Sequence, residues 1–366
     1  MKKIELFSFF VFDYNQTKKT KKSHKEERKL KAAVLEKNNV VNIKEVPVPE
    51  INEDEVLVQV KYSGVCGSDI PRLFNNGARF YPIILGHEFS GIITKKGKNV
   101  NNIEIGDKVS IAPLEPCMKC EDCIKGHFSQ CKHYSFIGSR KNGAWAEYVA
   151  VPAKNAVKLP EGVGLKEGAF FEPLTVALHG LSLLDYPVNK KIAILGMGTI
   201  GQLVLQCIAS SIQKEITAID INDEKLEFSK ELGATKVYNA LTSKEILSDY
   251  DLVIETSGVP ENFKKALIIA GNKADVLFIG TPHGNVEYSP AEFENINRKE
   301  LTIKGSWMNY SNIFPGEEWL MANSLFKENK VKIDKLITKL CSLEEFPKVV
   351  EQIGKKEIQG KVVIEL

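Results

Sequence analysis

Two grammars of apolar and polar positions follow one another along the chain. Between residues 40 and 110 the apolar residues fall in short runs broken by turn formers: Val46-Pro47-Val48-Pro49, an alternating segment over 55–62, a run over 91–94, and Gly106-Asp107-Lys108-Val109-Ser110. Alternation of period two puts every second side chain on one face, so this density of short strands predicts a compact, barrel-like β unit. Lys31-Ala32-Ala33-Val34-Leu35 reads as its first strand and residues 143–151 as a later one, while Glu172-Pro173 opens a helical run over 174–184. From residue 191 strands and helices alternate. Lys191-Ile192-Ala193-Ile194-Leu195 is a buried strand, an apolar helix runs through Ala209, and Ile216-Thr217-Ala218-Ile219-Asp220 is a second strand. Further strands at Lys236-Val237-Tyr238, Asp251-Leu252-Val253-Ile254-Glu255, 274–280 and 301–306 predict a doubly wound parallel sheet. After Trp307 come helices over 316–328 and 343–353 and a closing strand over 360–366, a tail expected to fold back onto the β unit. The expected division is therefore a β-rich domain of residues 30–183 and 308–366, with a doubly wound domain of residues 184–307 inserted and a cleft between the two.

Composition bounds this picture. The 366 residues suit two domains, and 43% hydrophobic with 26% charged residues are ordinary globular values. The net charge of +2 sits in the first segment: residues 1–29 hold nine of the 49 basic and four of the 47 acidic residues, leaving the body near −3. A nucleic-acid partner is not expected. The lysine-rich stretch 18–25 has no helical or strand period, so residues 1–29 are predicted to be a disordered extension, with the ordered pattern starting at Leu30. Residues 6–12 are apolar but too short to span a bilayer, and they lack a small-residue cleavage pattern. A cytoplasmic, non-membrane protein is expected. Seven cysteines, five of them spaced as metal ligands, also suit a reducing compartment.

The chemistry gathers around Tyr81-Pro82-Ile83-Ile84-Leu85-Gly86-His87-Glu88-Phe89-Ser90-Gly91, where an apolar run and a glycine lead to an adjacent imidazole and carboxylate. A lone histidine in such a place is more often a hydrogen-bonded core residue, but this one has company. Cys66, in Gly64-Val65-Cys66-Gly67-Ser68-Asp69, and Glu172 complete the mixed nitrogen, sulfur and oxygen set of a catalytic zinc. Cys117, Cys120, Cys123 and Cys131 supply the four thiolates of a structural zinc. An iron–sulfur cluster fits that loop less well, because the last gap is seven residues and no proline follows. Cys207 and Cys341 read as small core residues. The turn Gly196-Met197-Gly198-Thr199-Ile200-Gly201 lies between strand and helix, and Asp220 ends the next strand. That order predicts a dinucleotide site, with pyrophosphate on the helix N-terminus and ribose hydroxyls on the carboxylate. No arginine follows Asp220, so NAD is expected over NADP.

On these residues the chain from Leu30 onward resembles the zinc-dependent medium-chain alcohol dehydrogenases. Residues 64–72, 136–140 and 305–310 resemble members that act on a hexitol phosphate. The resemblance implies a GroES-like β-rich catalytic domain joined to a Rossmann NAD-binding domain, two zinc ions per chain, and a homodimer or homotetramer. It gives Cys66, His87 and Glu172 the ligand roles, with Glu88 binding zinc directly or just behind it, and Asp69 orienting the His87 ring. Ser68 matches the hydroxyl that first takes the substrate proton, whereas Pro71 stands where many relatives relay it through a histidine. For a substrate phosphate the candidate cations are Arg72 and Arg140, with Arg298 third, and Trp307, Asn309 and Tyr310 match loosely a substrate-facing stretch. The alternatives are oxidation of an unphosphorylated polyol such as sorbitol or xylitol, or of threonine, and more remotely a nucleotide-binding protein without catalysis.

Overall fold

The computed structural model describes residues 28–185, 189–209, 213, 215–244 and 247–366. The expected extension over residues 1–29 lies outside the described residues except for Arg28 and Lys29, and Lys29 already opens the first strand, Lys29–Lys37. Among the described residues no helix is long and apolar enough to cross a membrane.

The first strand pairs with Val40–Pro47 on one side and Ile83–Ile84 on the other. A larger sheet runs in the order Ala156–Lys158, Lys108–Ile111, Glu88–Lys96, Glu55–Val65, Lys361–Glu365, Ile337–Ser342, and Tyr148–Pro152 also pairs with Glu55–Val65. Val56, Val58 and Val60 point into one core with Phe89, Ile93, Val109 and Ile111, and all of them are buried. The closing strand lies antiparallel to Glu55–Val65, so the last residues of the chain complete a sheet begun 300 residues earlier. This return has a direct chemical consequence, because it lays Val362 opposite Val65, next to Cys66.

The second unit is a six-stranded parallel sheet in the order Lys236–Asn239, Glu215–Asp220, Lys191–Leu195, Tyr250–Glu255, Ala270–Phe278, Thr302–Gly305. Strand order reverses between Lys191–Leu195 and Tyr250–Glu255, the kind of switch point at which open parallel sheets take ligands beside the strands' carboxyl ends. Helix Phe171–Ser182 joins the two units. Its Phe171, Leu174, Ala177 and Leu178 share one buried cluster with Leu203 and Ile254 of the parallel-sheet unit and Trp319 of the returning segment. Gly180 of this helix abuts Ile279 and Ser306, just past two strands of the parallel sheet, while Glu172 lies two turns earlier. The helix expected over 174–184 thus begins three residues sooner, with Glu172 and Pro173 in its first turn, where proline costs no backbone bond.

Candidate functional site

Strand register assembles the first cluster. Gly64 pairs across the sheet with Glu88, so Cys66, two residues past Gly64, arrives beside His87 and Glu88. Gly86 makes the turn before them: its φ is +96°, and a Cβ there would lie 2.4 Å from Trp145 Cδ1. The ligand atoms of Cys66, His87 and Glu88 all lie within 4.8 Å of one another. His87 and Glu88 are 4% and 2% exposed, and Cys66 is half-buried.

Asp69, fully buried, ties this cluster to the loop that carries it. It accepts a bond from the Cys66 amide at 3.1 Å, and its Oδ1 stands 3.5 Å from His87 Nδ1. Burial of the His87 ring pulls its pKa down, but the Asp69 carboxylate and the Cys66 thiolate outweigh that and hold it well above the ordinary imidazole value. Burial likewise pushes Asp69 up, and the His87 and Arg72 charges overcome it. Both shifts say that the pocket favours positive charge at the ring. Nδ1, buried and without a close hydrogen-bond partner, leans on the carboxylate, as an imidazole does when its other nitrogen binds a metal. The donors present fit zinc.

Glu172 is not part of this tight cluster, although it is buried close enough to feel His87, Glu88 and Lys361. Its Oε1 accepts from Asn309 Nδ2 at 3.2 Å, and burial, reinforced by the charge of Glu88, pushes its pKa up to about 7 against the pull of His87 and Lys361. Sequence reasoning missed the partner of Glu88. Lys361, 4% exposed, ion-pairs with Glu88 Oε2 and donates to the Val65 carbonyl at 3.4 Å. Glu88, Cys66 and Glu172 together keep its ammonium charged despite burial. The available signal was a lysine standing next to the apolar run Val362-Val363-Ile364 of the closing strand.

The residues expected to face the substrate have other neighbours. Asn309 is buried and gives its amide to the Glu172 carbonyl and carboxylate and, at 2.6 Å, to Thr175 Oγ1. Tyr310 is buried with its hydroxyl accepting from the Leu114 amide at 3.0 Å. Both therefore fasten the helix Phe171–Ser182 and the segment before Leu114 in place, a consequence of burial that no local pattern displays. Trp307 is exposed. Arg72 donates to the Ser68 carbonyl and hydroxyl and stands 3.4 Å from Asp69. Arg140 stacks 3.6 Å over the Tyr134 ring and donates to the Tyr134 carbonyl, in a loop whose Phe136 meets the His87 ring edge-on at 5.6 Å. Arg298 pairs with Glu294 on an exposed helix turn of the parallel-sheet unit.

The four-cysteine loop closes on itself. Cys117, Cys120, Cys123 and Cys131 form one cluster, with sulfur pairs at 3.9 Å and 3.8 Å. Sulfurs about 2.3 Å from a tetrahedral ion stand about 3.8 Å apart, so the cage fits zinc. The Lys119 and Cys120 amides lower the Cys117 thiol to about 6, whereas burial pushes the Cys123 thiol up to about 12, so an ion binding here would have to displace that proton.

At the glycine turn, Asp220 Oδ2 accepts from the Met197 amide at 2.7 Å and Oδ1 from the Ile221 and Asn222 amides at 2.8 and 3.0 Å. The carboxylate is thus fixed beside the turn. Gly201 packs the helix Thr199–Ala209 so tightly that a Cβ would fall 1.9 Å from the Gly196 carbonyl oxygen, whereas Gly198 faces open space into which a phosphate can come. Thr199 and Ile200 open the helix whose first amides face that space.

Comparison with known proteins agrees with this geometry. Residues 52–161 match the family model "Alcohol dehydrogenase GroES-like domain" and residues 199–326 match "Zinc-binding dehydrogenase". The chain is 43% identical to galactitol 1-phosphate 5-dehydrogenase of Escherichia coli K12 over 92% of its own length and 99% of the relative's. It is 32% identical to L-threonine 3-dehydrogenase of Bacillus velezensis, over 92% and 99% of the two chains. The crystal structure of galactitol-1-phosphate dehydrogenase from Escherichia coli superposes with a TM-score of 0.88, covering 92% of this chain and all of that one.

Proposed function

The chain belongs to the zinc-binding medium-chain alcohol dehydrogenases, and from that premise we propose that it oxidises a hexitol phosphate with NAD, galactitol 1-phosphate to tagatose 6-phosphate. The observation that carries the chemistry is the cluster of Cys66, His87 and Glu88 within 4.8 Å, beside an exposed serine. The choice of substrate is supported by the 43% identity over nearly the whole chain.

Cys66, His87 and a carboxylate, Glu88 or Glu172, would hold the catalytic zinc, and the four-cysteine loop would hold the structural one. Zinc, when bound, would supply Lewis acidity toward the substrate hydroxyl, and NAD would supply the hydride acceptor. The protein's own groups do the rest. Asp69 orients the His87 ring, and Ser68 takes the proton of the substrate hydroxyl. The amides at Gly198 and Thr199 receive the pyrophosphate and Asp220 the adenosine ribose, where its negative charge repels a 2′-phosphate. Arg140, beside the ring that meets His87, is the cation best situated for the substrate phosphate. A cytoplasmic homodimer or homotetramer belongs to the same reading, and sedimentation of the purified protein tests the assembly.

The deciding experiment compares kcat/KM for galactitol 1-phosphate and galactitol, each with NAD and with NADP. A preference for the phosphate ester of about 100-fold or more is expected, since an unused fixed cation costs several kcal/mol. Equal values would remove the phosphate from the account and favour a free polyol; activity on threonine alone would favour the second relative's chemistry. One zinc per chain instead of two would favour a protein without catalysis.

A further inference from the structure

The short helix Asp69–Phe74 stands directly after Ser68, and its fourth residue is Arg72. A side chain at that position runs back over the preceding turn. Arg72 does so: Nη1 lies 2.9 Å from Ser68 Oγ, bonds the Ser68 carbonyl, and stands 3.4 Å from Asp69 Oδ1. The guanidinium is three-quarters covered, with 26% of its side chain exposed, while Ser68 itself is exposed and its hydroxyl caps no helix amide.

We propose that Arg72 is a positioning residue for the oxidation, holding the Ser68 hydroxyl in the one orientation from which it can take the substrate's proton. The inference rests on Ser68 being the first proton acceptor of the proposed reaction. A guanidinium has donors only, so in this pair the serine oxygen must accept. One of its two lone pairs is then committed to Arg72, the second is left for the substrate hydroxyl, and the serine's own hydrogen has to point away from the arginine. In the step itself the substrate O–H bond breaks and an O–H bond forms on Ser68 Oγ. The serine's original proton passes to water, and the carbon's hydride goes to NAD as the C=O bond forms. Pro71 has no base to carry the proton onward and Arg72 cannot accept it, so the route to solvent begins at the serine. Asp69 Oδ1, 3.4 Å from the same Nη1, helps to hold the guanidinium over the serine.

The competing role for Arg72 is a phosphate clamp, and the two part company experimentally. Arg72→Ala and Arg72→Gln are assayed with NAD on galactitol 1-phosphate and on galactitol, or on whichever alcohol of a polyol and threonine panel the wild type oxidises. Positioning predicts that kcat falls by about 10- to 100-fold by the same factor for every alcohol, as when a general-base arrangement is loosened. KM for the phosphate ester should stay within about twofold, zinc should stay at two per chain, and the visible spectrum of the cobalt-substituted protein should not change. Millimolar guanidinium should restore part of kcat in Arg72→Ala, and Arg72→Lys should retain more activity than Arg72→Gln. A rise in KM confined to the phosphate ester with kcat kept would make Arg72 a substrate clamp and overturn the proposal. So would unchanged kinetics, or loss of zinc and an altered cobalt spectrum in both variants, which would make the residue a brace for His87 alone. Wild-type protein that oxidises none of the panel overturns the dehydrogenase reading itself, and that outcome is read before any variant is made.

Discussion

Replacing Lys361 by methionine keeps most of the side-chain volume and deletes the charge, which isolates the buried pair with Glu88. Neither partner can turn to water, since they are 4% and 2% exposed. Breaking such a pair from one side costs about 3–5 kcal/mol, because the remaining charge stays buried without compensation. The exposed pair Lys29–Glu45, with side chains 63% and 65% exposed, should by contrast contribute less than about 1 kcal/mol. Glu88→Gln in the Lys361→Met background removes the orphaned charge, so most of the loss should return, giving a coupling of about 2 kcal/mol or more. Zinc changes the size of the effect in a stated direction: with the ion beside it Glu88 has another cation, so the Lys361→Met loss should be smaller in zinc-loaded than in zinc-stripped protein. The assay is urea unfolding followed by the fluorescence of the three tryptophans, of which Trp145 and Trp319 are fully buried. A double-mutant cycle closing within about 0.5 kcal/mol of zero would refute the reasoning, as would a loss indifferent to zinc.

Cys120→Ser should lower bound zinc from two ions per chain to one and depress the unfolding midpoint of the β-rich unit while leaving NADH binding measurable by fluorescence; two ions retained would contradict the four-sulfur cage. Asp220→Asn keeps an acceptor for the Ile221 and Asn222 amides but drops the charge, so the preference for NAD over NADP should fall at least about tenfold in KM ratio. Tyr62 donates to Glu365 Oε1 at 2.7 Å, and that bond, with partial burial and the carboxylate's charge, pushes its pKa up to about 12. The folded value exceeds the ordinary one near 10, so this stabilisation is complete below about pH 10 and is lost as pH rises through 12. Tyr62→Phe should cost about 1 kcal/mol or less at pH 7 and flatten the alkaline limb of stability against pH, measured by urea midpoints from pH 7 to 12.

The candidate site was legible where its parts are neighbours in the chain. The four cysteines fall within 15 residues, so spacing alone announced a closed cage. The glycine turn and Asp220 sit on adjacent strands of one unit, where local order of strand, turn, helix and strand carries the chemistry. The alternation of short runs and the later βα rhythm likewise foretold a β-rich unit and a parallel sheet, because side-chain periodicity reflects which face is buried. What no local pattern could carry is the register between distant strands. Glu88 meets Lys361 across 273 residues and Glu172 meets Asn309 across 137, so the environment of each carboxylate was decided only when the closing strand lay down against Glu55–Val65 and the 306–316 segment against helix Phe171–Ser182. Arg72 and Asn309 were visible as polar residues near a site, but whether they face substrate or brace its walls depends on burial and on which acceptors lie within 3 Å. The amino-acid order alone thus determined which donor atoms exist and which motifs they form; the tertiary structure decided how those donors are paired, because a hydrogen bond or an ion pair depends on distance in space and not on separation along the chain.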